Sequence, residues 1–145
     1  MKIYLDNCCF NRPFDDQTQL TIFLESQARL FIQQKVLYKK YSLVWSYILE
    51  YENEKNPFEF RRDTIIQWKD IAKETVYESE DVITLAEELF KKGIKAKDAL
   101  HISCAIYSNC EYFITTDKKL LNKNNNIEGI KILNPIEFVN EMEGD

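Results

Sequence analysis

Strand-like and helix-like segments alternate from one end of this chain to the other, and this order restricts the possible folds to a few. The strand-like segments are 1–6, 41–45, 75–77, 111–117 and 130–133. The helix-like segments are 17–35, 46–55, 57–72, 79–92, 95–107, 118–122 and a last one that starts at Pro135, while 7–13 has the character of a loop. Strands that alternate with helices form mainly parallel sheets, so we predict an α/β sandwich around such a sheet.

The size and composition of the chain are those of a packed globular protein. At 145 residues, with a hydrophobic fraction of 45%, the chain is expected to form one domain over residues 1–145. No apolar run reaches the roughly 18–20 residues of a membrane span, and the N-terminus does not resemble a signal peptide. We therefore expect no membrane partner and a cytoplasmic location.

Neither the overall charge nor the cysteines identify a ligand. The net charge of −5 does not favour a nucleic-acid partner, although local basic patches can coexist with an acidic total. The four cysteines are Cys8, Cys9, Cys104 and Cys110, and their spacing is not that of the usual zinc sites. Reduced, buried thiols are the expected state of these side chains.

Four acidic residues lie at the ends of predicted elements: Asp6, Glu52, Asp98 and Asp117. Parallel strands bring their carboxyl ends to one side of a sheet, so Asp6 and Asp117 are expected to converge there. A simpler structural role is open for two of them, because Asp6 can cap a loop or helix and Asp98 suits a helix N-terminus. However, the helix that Asp98 opens is apolar on nearly every side, where an unpaired carboxylate is costly.

Several carboxylates in one place repel one another, and a divalent cation removes that repulsion. Ligands that are all oxygen atoms suit Mg²⁺ or Mn²⁺ better than zinc. Such a site can activate water and stabilise the charge of an in-line attack at phosphorus. The acids therefore indicate metal-dependent chemistry on a phosphate ester.

The same acids, with their neighbours, resemble the acidic signatures of the PIN domain family. The matching stretches, in chain order, are Leu5-Asp6-Asn7, Ser46 with Glu52 six positions later, Lys97-Asp98-Ala99-Leu100-His101 and Phe113-Ile114-Thr115-Thr116-Asp117. The resemblance extends over essentially the whole chain. It implies a three-layer α/β/α sandwich and a Mg²⁺- or Mn²⁺-dependent ribonuclease, as in the toxin subunits of toxin–antitoxin pairs.

Carried over position by position, the resemblance implies metal ligation by Asp6, Asp98 and Asp117 and a catalytic role for these three and for Glu52. Glu50 is the alternative second acid, and the spacing to Ser46 favours Glu52. The resemblance also implies supporting roles for the polar residues beside the acids, which are Asn7 and either Thr115 or Thr116. Family resemblance further implies an RNA substrate, a homodimer and a possible antitoxin protein as partner.

The sequence indicates two further groups of residues less strongly as parts of the site. Basic side chains near the acids are candidates to hold RNA phosphates, and Arg12 and Lys118 are the best of them because they follow Asp6 and Asp117 closely. Others are Arg61, Arg62, Lys95, Lys97 and Lys119. His101 lies on the same helical face as Asp98, and we expect a structural or supporting role for it.

Two other functions are compatible with an α/β domain of this kind. One is a catalytically inactive PIN-fold module that binds RNA or serves as a scaffold, which loss of an acid would favour. The other is a phosphatase or phospho-receiver domain with Asp6 as nucleophile. The sequence after Asp6 is Asn7-Cys8, which lacks the Asp-x-Asp pattern of such phosphatases.

Overall fold

The computed structural model describes residues 1–144, and its centre is a sheet of five parallel strands. The strands are β1 (Lys2–Leu5), β2 (Ser42–Ser46), β3 (Glu74–Val76), β4 (Tyr112–Ile114) and β5 (Lys131–Leu133). Their order across the sheet is β3-β2-β1-β4-β5, and every neighbouring pair is parallel. The predicted α/β architecture with a parallel sheet is thus confirmed.

Eight α-helices connect and flank the strands within residues 1–144: α1 (Asn7–Asn11), α2 (Leu20–Leu37), α3 (Tyr47–Glu54), α4 (Glu59–Ile71), α5 (Glu80–Lys91), α6 (Ala96–Tyr107), α7 (Lys118–Leu121) and α8 (Pro135–Glu143). The helix starts predicted at Ser46 and Ser79 are confirmed, because each hydroxyl accepts a backbone N–H three residues later. Among the described residues, no helix is long and apolar enough to cross a membrane.

Successive side chains of each strand point to opposite faces of the sheet, and a layer of helices packs against each face. On one face, the Tyr4 ring stacks on Phe113 and its hydroxyl reaches His101 of α6. On the opposite face, Trp45 contacts Phe10 of α1, and Tyr112 stacks on Phe138 of α8. Helix α2 packs against α8 on this second face, and α5 packs against α6 on the first. The fold is therefore an α/β/α sandwich.

The structure corrects two predictions about the first connection. The segment after Asp6 was expected to be a loop, but Asn7–Asn11 is a short helix whose first N–H is capped by the Asp6 carboxylate. The next helix was expected from residue 17, but α2 starts at Leu20. The Asp16 carboxylate accepts the N–H and the hydroxyl of Thr18 instead, which favours a turn before the helix.

The position of β1 determines where a site can form. The chain passes from β1 to β2 and β3 on one side and later returns to β4 and β5 on the other. The carboxyl end of β1 is therefore the point at which the strand order reverses. In open α/β sheets a crevice opens at such a point, and ligands bind there.

Candidate active site

Asp6 leaves β1 at this crevice and is fixed by hydrogen bonds on two sides. One carboxylate oxygen accepts the backbone N–H of Asn7 at 2.8 Å, and the other accepts the hydroxyl of Thr115 at 2.8 Å. The backbone N–H of Asp6 donates to the carbonyl of Ile114, which continues the pairing of β1 with β4. The Asp6 side chain is thus held against the end of β4 with only 7% of the residue exposed.

Asp117 follows β4 and is linked to Asp6 through Thr115. The Thr115 hydroxyl donates to Asp6 and accepts the backbone N–H of Asp117 at 3.1 Å. The Asp117 carboxylate caps α7 by accepting the N–H of Lys119 at 2.9 Å. Thr116 lies behind the crevice, where its N–H donates to Sγ of Cys8. Of the two threonines considered from the sequence, Thr115 is the one that contacts an acid.

Asp98 enters the crevice from the first turn of α6. Burial and the nearby carboxylates of Asp6 and Asp117 raise the pKa of Asp98 to about 6. The three side chains therefore crowd negative charge into one small volume. A bound cation would relieve this repulsion.

Glu52 completes the acidic group, whereas Glu50 turns away from it. Ser46 caps α3, and the helix carries Glu52 to the crevice, where its carboxylate contacts Nε2 of His101. Glu50 forms an ion pair with Lys69 of α4 instead. The structure therefore places Glu52 beside the aspartates, on the side of α3 that the spacing to Ser46 favoured.

A buried chain of hydrogen bonds lies behind Glu52. Nδ1 of His101 is 2.6 Å from the Tyr4 hydroxyl, which is itself 2.6 Å from Oγ of Ser46. Burial raises the pKa of Tyr4 well above its usual value, so the phenol keeps its proton. Nε2–H of His101 donates to Glu52, and Nδ1 shares a hydrogen bond with the Tyr4 hydroxyl. This arrangement fixes the direction of the Glu52 carboxylate.

Sequence reasoning missed Tyr4 as part of the site. The available signal was its position two residues before Asp6, because alternate residues of a strand point to the same face. Helix α6 packs against that face, so the Tyr4 hydroxyl contacts a side chain of α6. The identity of its partners, Ser46 and His101, depends on the packing of three elements and is not visible in a linear motif.

The four acids line one open cleft of about 380 Å³, together with Asn7, Cys8, Asn11, Asp15, Lys97 and His101. Oxygen donors of this kind fit a hard dication such as Mg²⁺ or Mn²⁺. Within residues 1–144, however, no three acidic, histidine or cysteine side chains are arranged around a common point for an ion. Asp6 and Asp117 accept N–H groups at helix starts, and Glu52 contacts His101.

The two basic residues predicted to contact RNA have different surroundings. Arg12 donates to Glu25 at 3.0 Å and to Asp15 at 3.1 Å, and Glu25 is buried. The structure therefore places Arg12 in a partly exposed ion-pair cluster with Glu25 and Asp15. Lys118 is exposed at the first position of α7, directly after Asp117.

Comparison with known families and structures gives consistent results. The sequence model of the PIN domain family matches residues 3–126. No curated protein sequence matches the chain.

Among solved structures, the fold is similar to that of VapBC2 from Rickettsia felis bound to a DNA fragment from its promoter, at a TM-score of 0.58 and 16% identity over 92% of this chain and 98% of that chain. DNA-bound VapBC from Salmonella typhimurium gives a TM-score of 0.56 and 17% identity over 93% of this chain and 98% of that chain. VapBC-1 from nontypeable Haemophilus influenzae gives 0.53 and 16% over the same shares. At these identities the likeness establishes the fold alone.

The hydrogen-bond chain predicts a specific loss of stability. Tyr4→Phe leaves buried groups of Ser46 and His101 without a shared partner, so we expect the free energy of unfolding in urea to fall by about 1–3 kcal/mol. Tyr47→Phe is a matched control, because the buried Tyr47 hydroxyl has no hydrogen-bond partner among the described residues. The control should change the free energy by less than about 0.5 kcal/mol. Equal effects of the two variants would contradict the proposed hydrogen bonds.

The crowded charge at Asp98 predicts a pH-dependent stability. A pKa raised to about 6 means that the folded protein binds this proton more tightly than the unfolded chain does, so stability falls as pH rises from about 4 to about 6. In EDTA, Asp98→Asn should therefore raise Tm at neutral pH. The rise should be about 2–4 °C, since solvent in the open cleft screens part of the repulsion.

The same comparison at low pH tests the cause of this effect. Near pH 4 the wild-type Asp98 is protonated in the folded state, so the advantage of Asp98→Asn should disappear. Asp70→Asn, which neutralises an exposed carboxylate in the last turn of α4, should leave Tm nearly unchanged at both pH values. A gain for Asp98→Asn that does not depend on pH would show that charge is not its source.

Proposed function

We propose that this chain, which belongs to the PIN domain family, is a divalent-metal-dependent endoribonuclease. The observation that carries the proposal is the meeting of Asp6, Glu52, Asp98 and Asp117 in one cleft, although they come from four separate parts of the chain. The cleft lies at the carboxyl edge of a parallel sheet, where such folds bind their ligands. RNA is the proposed substrate.

Asp6, Asp98 and Asp117 would hold Mg²⁺ or Mn²⁺, and Glu52 would be the additional catalytic acid. The bound ion would act as a Lewis acid that activates water and offsets the negative charge of the phosphodiester. Thr115 supports this use of Asp6 and Asp117, since its hydroxyl donates to the Asp6 carboxylate and accepts the backbone N–H of Asp117. Asn7 supports it through its N–H bond to Asp6.

Glu52 is suited to orient or deprotonate the attacking water. His101 holds one of its carboxylate oxygens, and the other can accept a hydrogen bond from water at the cleft. Because His101 is itself held by Tyr4, the direction of Glu52 is set before a substrate arrives. Lys97 and Lys118 are exposed close to the acids and are proposed to contact RNA phosphates.

A toxin role in a toxin–antitoxin pair is the biological setting that we propose. The solved structures of similar fold described above are VapBC complexes, two of them bound to DNA. By analogy, this chain would bind an antitoxin protein and form a homodimer. The analogy is one of fold, so both partners are tested by co-expression with the product of a neighbouring gene and by mass measurement of the purified assembly.

A binding module without turnover is the second candidate function. The observation that favours it is that, among residues 1–144, no three potential ligands are arranged around one ion position. Such a module would bind RNA through the same cleft and its basic neighbours without cleaving it. The two functions differ in one measurable outcome, which is metal-dependent cleavage.

The deciding experiment is cleavage of a mixed-sequence single-stranded RNA with Mg²⁺, Mn²⁺ or EDTA. We expect cleavage by the wild type with either metal and none in EDTA. Asp98→Asn removes one charged ligand without a large change of shape and should lower the rate by roughly 100-fold or more, since metal stabilisation of the transition state is worth several kcal/mol. Asp70→Asn, the same chemical change at an exposed position, should keep the wild-type rate.

Two outcomes would count against the nuclease. Wild type that is inert with both metals but binds RNA would favour the binding module. Cleavage that persists in Asp98→Asn at the wild-type rate would point to a contaminating nuclease, because the variant lacks a proposed metal ligand.

A further inference from the structure

A second cavity, which we call the lysine pocket, adjoins the acidic cleft. Its volume is about 290 Å³, and it lies between the start of α6 and the segment that contains α7. Asp98 and Asp117 line both the lysine pocket and the acidic cleft. The two cavities are therefore neighbours that share two acids in their walls.

Three lysines give the pocket a charge opposite to that of the cleft: Lys95, Lys119 and Lys123. Lys95 and Lys119 are exposed, and neither forms an ion pair with a carboxylate in the part of the chain that the structure describes. Lys123 donates to the carbonyl of Gly93, which leaves its positive charge uncompensated. By contrast, the positive charges of Arg12 and Lys69 are paired with glutamates.

The inner surface of the lysine pocket is apolar. Ile94 and Leu120 form part of its lining, but only 1% and 2% of these core residues is exposed, so the accessible apolar surface comes mainly from the aliphatic stems of the lysines. Asn122 lies at its rim, exposed, and its amide can both donate and accept hydrogen bonds. A cationic rim, an aliphatic surface and one amide suit a ligand with a flat apolar face, a polar edge and anionic ends.

We propose that the lysine pocket receives the nucleotide next to the scissile phosphodiester of a single-stranded RNA. Its base would lie against the aliphatic stems of the lysines with an edge on Asn122, and its phosphates would lie on Lys95 and Lys119. This assignment rests on the proposed function, since it takes the acidic cleft as the place of cleavage. It adds a binding position and a source of base preference.

The charge distribution explains why RNA would need this pocket. Five carboxylates line the cleft, Asp15 among them, and repel a polyanion, and the whole protein carries a net charge of −5. Lysines beside the cleft attract the RNA phosphates at the place where the RNA must pass. A base in a duplex is stacked and paired, so only an unpaired nucleotide can turn into a pocket of this size.

Binding measured without turnover tests the phosphate contacts. A short fluorescein-labelled single-stranded RNA is titrated with protein in EDTA, and Kd is followed by anisotropy over a range of salt concentrations. We expect Lys95→Gln/Lys119→Gln to raise Kd by about tenfold and to reduce the slope of log K against log salt by about 1.4, or about 0.7 for each single-strand phosphate contact.

The matched control changes two lysines at the opposite edge of the sheet. Lys40 precedes β2 and Lys73 precedes β3, and both are exposed. Lys40→Gln/Lys73→Gln should leave Kd and the salt slope at wild-type values. An equal loss in both double variants, an unchanged Kd in Lys95→Gln/Lys119→Gln, or no binding by the wild type would overturn the assignment.

The base contact is tested separately. Asn122→Ala should change the relative affinities for oligo(A), oligo(C) and oligo(U) by several-fold without changing the salt slope, because the amide meets a base edge rather than a phosphate. Asn125→Ala, at a nearby exposed position, should not alter this preference. An equal effect of Asn122→Ala on all three oligonucleotides would overturn the base contact.

Failure of this proposal can be told from failure of the nuclease proposal. If metal-dependent cleavage is seen and the lysine variant binds RNA as tightly as wild type, the nuclease stands and the pocket assignment fails. If the lysine variant loses RNA binding but no metal supports cleavage, the pocket stands as an RNA-binding site and the nuclease fails.

Discussion

Repulsion among carboxylates is the constraint on which the site depends. A parallel sheet brings the ends of β1 and β4 together, and with them Asp6 and Asp117, while α6 adds Asp98. The resulting repulsion and burial raise the pKa of Asp98 to about 6. The fold tolerates this cost because hydrogen-bond donors surround the other two aspartates, notably the Thr115 hydroxyl and the N–H groups at the starts of α1 and α7.

Hydrogen bonds solve a second problem of burial behind the cleft. Ser46, Tyr4 and His101 are buried polar groups, and one line of hydrogen bonds links them. Glu52 stands at the end of that line and faces the cleft. A fully hydrogen-bonded support behind Glu52 preserves the direction of its carboxylate and leaves none of the three buried groups without a partner.

The sequence predicted those parts of this PIN domain that depend on local chemistry. Strand-to-acid transitions located Asp6 and Asp117, and serines before helical patterns located the starts of α3 and α5. The short helix α1 was missed because five residues are too few for periodicity, and its stability comes from the packing of buried Cys9 and Phe10. The pairing of Arg12 with Glu25 and the partners of Tyr4 were also missed, since these residues lie 13 or more positions apart along the chain.

The order of the strands has a consequence for synthesis of the protein. The first strand made is the central one, and its partner β4 is among the last. Until β4 and Asp117 have left the ribosome, β1 lacks a neighbour on one side and the cleft lacks its last acid. The nascent chain thus cannot assemble the complete acidic group before most of it has been translated, so fragments truncated before β4 should lack both a complete sheet and a complete acidic cleft.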